Sequence, residues 1–220
     1  MKLRIFSLLA ISALLNGCLN YTQITTIKTD GSGNMFIHYW MKWATPKDSS
    51  IIEQLGIFSK DSVFKEFSSE YSAIKNVEVY KDPSDSSMHA KVELNFNSLD
   101  SLNLTPAFRK SELSIKDASK NIKIFSQFIP AIATGFGFES KNFSITYIYY
   151  LPGEILSHNA TEIVRNKITW KYSLDEIGTG KYITATYRAF KLKETPTWIF
   201  MCALFVLVVV IIYLFSKRMK

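Results

Sequence analysis

The two ends of the chain constrain its fold most, because each is typical of a segment that meets a membrane. Residues 1–17 hold a basic start, an apolar run of about 11 residues and a small residue before Cys18, the pattern of a bacterial lipoprotein signal peptide. The sequence predicts cleavage before Cys18 and acylation of that cysteine, with palmitate as the expected acyl group. The alternatives are an ordinary cleaved signal peptide and an uncleaved span, for which the run is short.

The second end is an apolar run from Trp198 to Phe215 that contains no charge, proline or glycine and precedes a basic tail. About 18 residues at a rise of about 1.5 Å each cover roughly 27 Å, close to the thickness of a hydrocarbon core. The sequence therefore predicts a transmembrane helix over residues 196–216. Basic residues stay on the inner side, so residues 217–220 are predicted to be cytoplasmic. A buried core helix is the alternative.

Residues 18–195 are predicted to form one domain on the outer side of the cytoplasmic (inner) membrane. The formal net charge is +7, but all 19 acidic residues lie in this domain, whereas five of the 26 basic residues lie in the two ends. The domain is thus nearly neutral and has no basic cluster. Nucleic-acid binding needs a concentrated basic stripe, which excludes that function.

The residues that carry chemistry are sparse in this domain. No cysteine lies between Cys18 and Cys202, so no disulfide is expected. His38, His89 and His158 are far apart in sequence, and no nucleophile, zinc or phosphate-loop motif accompanies them. We expect no catalytic residue, no metal and no cofactor, and we do not expect an enzyme.

Alternation of apolar and polar residues dominates the domain and predicts half-buried strands. The clearest runs lie at residues 35–43, 92–96, 143–151, 168–172 and 183–189. Turn residues at 30–33, 82–87 and 178–180 separate neighbouring runs, which predicts an antiparallel meander.

Helical spacing is confined to two neighbouring stretches. Apolar residues at 51–55 and at 63–74 recur every three or four positions. The predicted fold class is therefore α+β: a mainly antiparallel β-sheet with one or two helices packed on one face, followed by a single C-terminal transmembrane helix.

Residues 141–190 contain an ordered set of signals. A strand ends in Leu151-Pro152-Gly153-Glu154-Ile155-Leu156, a polar loop with Asn159 follows, and Asn166-Lys167-Ile168-Thr169-Trp170 begins the returning strand before a final strand. This order resembles the LppM-type domain of bacterial envelope lipoproteins. The resemblance implies a mainly antiparallel α+β domain at the cell envelope that handles lipids, and it carries over no catalytic residue.

This chain departs from the family in the polar loop. It has Asn159-Ala160 where the family usually has Asn-Gly, and Arg165-Asn166 where it has Gly-Asn, so the turn geometry there is open. Pro152-Gly153 itself predicts a type II turn with a positive φ at the glycine. Trp170 is predicted to be a core residue.

Residues 125–138 are uncharged and rich in phenylalanine, and they supply the candidate contacts to a ligand or membrane. These candidates are Phe128, Ile132, Phe136 and Phe138. The alternative for this stretch is a buried connection. Apolar residues also occur on both faces of two predicted strands, at Phe36, Trp40, Ile148 and Tyr150, which predicts either a cavity under the sheet or a partner surface.

Together these features predict a membrane-anchored lipoprotein of the cell envelope. Its predicted function is that of a non-catalytic binding module for a lipid or amphiphile. The alternative is an envelope scaffold or adaptor that recruits another membrane protein.

Overall fold

The alternating runs form strands that pair into two sheets. The computed structural model describes residues 19–43, 49–50, 53–54, 56–131, 143–190 and 197–218. Two units divide the chain, Met1–Phe190 and Lys191–Lys220. The strands are β1 (Leu19–Ile27), β2 (Gly33–Lys42), β3 (Ser72–Asp82), β4 (Ser87–Phe96), β5 (Ser114–Ser119), β6 (Ile122–Pro130), β7 (Ser144–Tyr150), β8 (Gly153–His158), β9 (Glu162–Val164), β10 (Lys167–Ser173) and β11 (Gly180–Ala189).

The large sheet has the strand order β3-β4-β2-β1-β7-β10-β9, and the small sheet has the order β5-β6-β11-β8. Two predicted hairpins are confirmed, since β1 pairs antiparallel with β2 and β3 pairs antiparallel with β4. The predicted meander is wrong at residues 178–180, because this turn leads from β10 in the large sheet to β11 in the small one. Strand β1 pairs with β7 in parallel.

The inner faces of the two sheets pack on each other through an aromatic core. The Phe125 ring of the small sheet lies 4.4 Å from the Tyr149 ring and 6.0 Å from the Trp170 ring of the large sheet, between centroids. All three side chains are fully buried, which confirms Trp170 as a core residue. The fold is therefore mostly β, and the prediction of an α+β class is wrong, because a second sheet covers much of the inner face where helices were expected.

A buried polar network joins the sheets beside these rings. The Tyr149 hydroxyl donates to Gln127 Oε1 at 2.6 Å and accepts from Gln23 Nε2 at 2.9 Å. Gln23 lies in β1 and Gln127 in β6, so the network fixes one sheet relative to the other. Among the described residues, no buried side-chain nitrogen or oxygen lacks a hydrogen-bond partner, as a low-dielectric core requires.

Asn159 makes a second link between the sheets. Its Oδ1 accepts from Trp170 Nε1 at 2.8 Å and from the Thr184 backbone N–H at 2.9 Å, and its Nδ2 donates to the Tyr182 carbonyl at 2.8 Å. The polar loop thereby satisfies the indole N–H of the large sheet while it continues the hydrogen bonding of β11 in the small sheet.

Gly153 is glycine for a reason other than the predicted type II turn. Its φ is not positive, so that prediction is wrong, and the residue begins strand β8. A Cβ built on it would lie 2.3 Å from the Arg188 carbonyl oxygen and 2.6 Å from Tyr187 Cδ2. Glycine is required here because the backbones of β8 and β11 approach closely.

The second of the two predicted helices ends earlier than predicted. Helix α1 (Lys60–Phe67) packs Val63 and Phe67 into the core, and a second helix, α2 (Leu174–Ile177), is a single turn. The helical pattern does not continue to residue 74, since Ser72 Oγ bonds the Phe67 carbonyl at 2.7 Å and begins β3. Three residues of the first predicted helix (51, 52 and 55) lie outside the described residues.

The second unit contains helix α3 (Thr197–Arg218). Within the described residues, no helix combines the length and the hydropathy that a membrane span requires. The transmembrane helix predicted over residues 196–216 is therefore wrong.

The buried polar network generates a stability prediction. Replacing Tyr149 by Phe leaves the two glutamine amides without their hydroxyl partner, which we expect to lower the free energy of unfolding by about 1–3 kcal/mol. Urea denaturation measures the change. Tyr182→Phe is the matched control, because that hydroxyl bonds Glu112 at the surface and its loss should cost less than about 0.5 kcal/mol. Equal losses in the two variants would contradict the bridging role.

Candidate functional site

The outer face of the large sheet carries a group of rings on its first three strands. Tyr80 of β3, His89 of β4 and Trp40 of β2 are direct register partners and form one row across the sheet. His38 and Phe36 continue along β2 on the same face. We call Phe36, His38, Trp40, Tyr80 and His89 the histidine cluster.

The rings of the histidine cluster stack on one another. The Tyr80 and His89 ring centroids lie 4.7 Å apart, and the ring planes are 7° from parallel. On the other side of His89, the Trp40 ring of β2 lies 5.9 Å from the His89 ring. Two lysines flank the row, with Lys91 Nζ 5.0 Å from the Tyr80 ring centroid and Lys42 Nζ 5.7 Å from the Trp40 ring centroid. The result is a half-buried aromatic row with a cation at each end.

A hydrogen-bond chain runs through the two histidines. His38 Nε2 lies 3.0 Å from His89 Nδ1, His89 Nε2 lies 2.6 Å from Ser87 Oγ, and Ser87 Oγ donates to the Asp85 carboxylate. Since the Ser87 proton goes to the carboxylate, Ser87 Oγ accepts from His89 Nε2–H. His89 Nδ1 then accepts from His38 Nε2–H. In this arrangement His89 is neutral and protonated at Nε2, and His38 donates from its own Nε2.

This order of residues does not activate a nucleophile. A serine nucleophile must donate its proton to an imidazole that a carboxylate orients. Here Ser87 donates to the carboxylate instead, and it is fully buried. Within the described ranges, no group of three or more His, Cys, Asp or Glu side chains could hold a metal ion. The chemistry that the cluster offers is stacking, hydrogen bonding and proton uptake.

The surroundings of the two histidines disfavour their charged forms. Burial lowers the pKa of His38, and His89 and Lys91 lower it further. Burial also lowers the pKa of His89, with Lys91 acting in the same direction and with Asp85 and Asp82 acting against it. The pair is thus held neutral to a lower pH than free imidazoles.

The predicted site residues fall mostly outside the part of the chain that the structure describes. Cys18, Ile132, Phe136 and Phe138 lie there, and so do residues 1–17. Phe128 is described: it is half-buried on the outer face of the small sheet, with its ring 4.9 Å from that of Tyr182.

The residues predicted to line a cavity or a partner surface lie on the outer face of the large sheet. Phe36, Trp40, Ile148 and Tyr150 are all half-buried there, and Phe36 and Ile148 flank Ile24 in one row. They do not point between the sheets. Their position agrees with the surface alternative and not with a cavity under the sheet.

Sequence reasoning missed the association of His38 with His89, which stand 51 residues apart. A signal was present, because His38 lies within the alternating run at residues 35–43 and His89 lies just before the run at residues 92–96. What was absent was the pairing of β2 with β4, since these strands are not neighbours in sequence. Pairing sets the diagonal contact between the two imidazoles.

The geometry defines a two-sheet, mostly β domain with a half-buried cluster of rings on an outer face. No protein-family model matches the chain, and no curated protein matches it. Among solved structures it is similar to the folded domain of the Mycobacterium tuberculosis LppM protein, with a TM-score of 0.46, 18% identity and coverage of 79% of this chain and 91% of that one. The predicted resemblance is thereby confirmed only as a remote likeness of fold.

A second solved structure shows a weaker likeness. This is the Danio rerio Fcho1 Mu homology domain with a bound Eps15 peptide, with a TM-score of 0.22, 9% identity and coverage of 83% of this chain and 82% of that one. Both likenesses are too distant to carry an argument about function.

The lowered histidine pKa values predict a loss of stability in mild acid. The unfolded chain takes up protons at the ordinary histidine pKa of about 6.5, whereas the folded chain does so at lower pH. The free energy of unfolding should therefore fall as the pH drops from about 7.5 to about 5.5, before carboxylates titrate. Urea midpoints measure this, and His38→Gln should reduce the slope. A slope unchanged in His38→Gln, or one reduced equally by the exposed control His158→Gln, would contradict the prediction.

Proposed function

We propose that this chain is a non-catalytic binding module and that the outer face of its large sheet, around the histidine cluster, is the ligand surface. The observation that carries the proposal is the row of rings that remains accessible on this face, with Tyr80 38% exposed. Aromatic residues with a polar edge suit a boundary between apolar and aqueous surroundings.

The chemistry of the face favours an amphiphile with an anionic head group. Phe36, Ile24 and Ile148 supply an apolar strip across three strands. Lys42 and Lys91 stand beside the ring row and would pair with a phosphate or carboxylate. An apolar strip beside fixed cations matches the two parts of such a molecule.

Chain geometry supports a bilayer lipid as the source of this ligand. Asn20 is the register partner of Trp40, and it follows Cys18 by two residues. Two residues reach at most about 7 Å. An acyl chain on Cys18 would therefore begin next to the Trp40 end of the ring row and would bring that end to the lipid surface.

Vesicle flotation tests the ligand surface. The full chain carrying Cys18→Ser, which removes the acyl anchor, should bind anionic phosphatidylglycerol vesicles. The double variant Lys42→Glu with Lys91→Glu should weaken binding at least tenfold, since each lysine contributes about 1 kcal/mol at an anionic surface. Trp40→Asp should also weaken binding, because it replaces an interfacial ring by a negative charge. The double lysine variant tests the same face without replacing any of its aromatic side chains.

Tyr182→Asp is the control, because Tyr182 is an accessible ring on the outer face of the other, small sheet. Loss of binding in the control with retention in Trp40→Asp would refute the proposed surface. Phe136→Asp in the same assay tests the predicted contact at Phe128, Ile132, Phe136 and Phe138.

The tether makes a separate prediction. Cells expressing the chain should incorporate labelled palmitate into it, and Cys18→Ser should abolish the label. Cys202 is the other cysteine of the sequence, so Cys202→Ser is the control and should leave the label unchanged. Label retained in Cys18→Ser would refute acylation at this residue.

A scaffold or adaptor role is the second candidate. It is favoured by the breadth of the outer face, where half-buried apolar residues extend from β2 to Tyr150 on β7, because such patches also mark protein interfaces. A photo-crosslinker at position 36 in living cells distinguishes the two, since a discrete protein adduct without lipid selects the adaptor.

A further inference from the structure

We propose that the His38–His89 pair is a proton-operated switch of the ring row, and that its second proton opens the row and strengthens binding of an anionic amphiphile. The binding half of this inference rests on the proposed function. The opening of the row does not, because it follows from the geometry of the pair alone.

The hydrogen bond between the two imidazoles can be kept when the pair gains one proton but not when it gains two. When His89 Nδ1 gains a proton, His38 can still accept it at Nε2 by moving its own proton to Nδ1. When both imidazoles are charged, every ring nitrogen is a donor and the 3.0 Å contact between His38 Nε2 and His89 Nδ1 joins two like charges. That contact must then lengthen.

The charges facing the pair set how far it moves. Lys91 of β4 opposes protonation of both imidazoles, while Asp82 of β3 and Asp85 of the β3–β4 turn favour protonation of His89. Lys42 of β2 and Glu78 of β3 are the other charged residues at neighbouring register positions. On the β1 side the register partner of His38 is Thr22, which is uncharged. Repulsion of the second proton therefore acts within the pair and from Lys91.

Separation of the imidazoles disturbs the ring row directly. His89 is stacked between Tyr80 and Trp40, so a movement of its ring uncovers the faces of both neighbours. The same event brings the pair to two positive charges beside Lys42 and Lys91. More accessible rings and more positive charge both favour an anionic amphiphile. Its affinity should therefore rise when the second proton binds.

Imidazole NMR of the full chain tests the switch without any ligand. Between about pH 8 and pH 5 the two histidines should titrate in steps separated by more than about one pH unit. The Trp40 indole signal should shift with the second step. In His38→Gln, His89 should titrate in one step at a higher pH, and His89→Gln is the reciprocal variant should the first fail to fold. Simultaneous single-step titration with a static Trp40 signal would overturn the inference.

Vesicle binding tests the consequence. Affinity for phosphatidylglycerol vesicles should rise roughly fivefold per added charge on acidification. In His38→Gln the rise should be limited to the one charge that His89 gains, and His158→Gln should retain the full rise. Binding that is independent of pH, or a full rise in His38→Gln, overturns the inference. Absence of binding at every pH instead refutes the proposed function, and the NMR titration then decides the switch by itself.

Discussion

The pairing of β2 and β3 with the central strand β4 is the constraint on which both the core and the candidate site depend. One row of this pairing buries Ile37, Val92 and Val77 on the inner face, and the row three positions along stacks Trp40, His89 and Tyr80 on the outer face. Side chains alternate between faces, so a slip of one residue would bury the histidines and expose the core. The hydrophobic cost of such a slip holds the ring row in place.

The inner face in turn fixes the position of the second sheet. Apolar packing alone tolerates sliding, whereas the hydrogen bonds of Tyr149 with Gln23 and Gln127 have one geometry. Asn159 adds directional bonds to Trp170 and β11. The core that stabilises the domain thus lies between the two sheets. The outer face of the large sheet is not part of this core and can therefore carry polar and aromatic residues.

Local signals in the sequence predicted local structure well and distant pairing poorly. The Asp30-Gly31 and Asp82-Pro83 turns predicted their hairpins, because a short turn leaves the flanking strands only one way to pair. The turn at Gly178 looked similar, yet it crosses between sheets, since two short strands flanking a turn need not pair when each has a better partner. The histidine cluster was missed for the same reason, because His38 and His89 meet through the pairing of β2 with β4, which no short turn connects. Of the predicted contact residues, only Phe128 lies among the described residues.

The central claim is that the strand register brings the two imidazoles into one N–H···N hydrogen bond on the outer face. Scalar coupling between His38 Nε2 and His89 Nδ1, measured across that bond in nitrogen-15-labelled protein, tests it directly. We expect a resolved coupling at neutral pH that disappears in mild acid. Two histidines without coupling at neutral pH would contradict the register, the ring row and the function assigned to them.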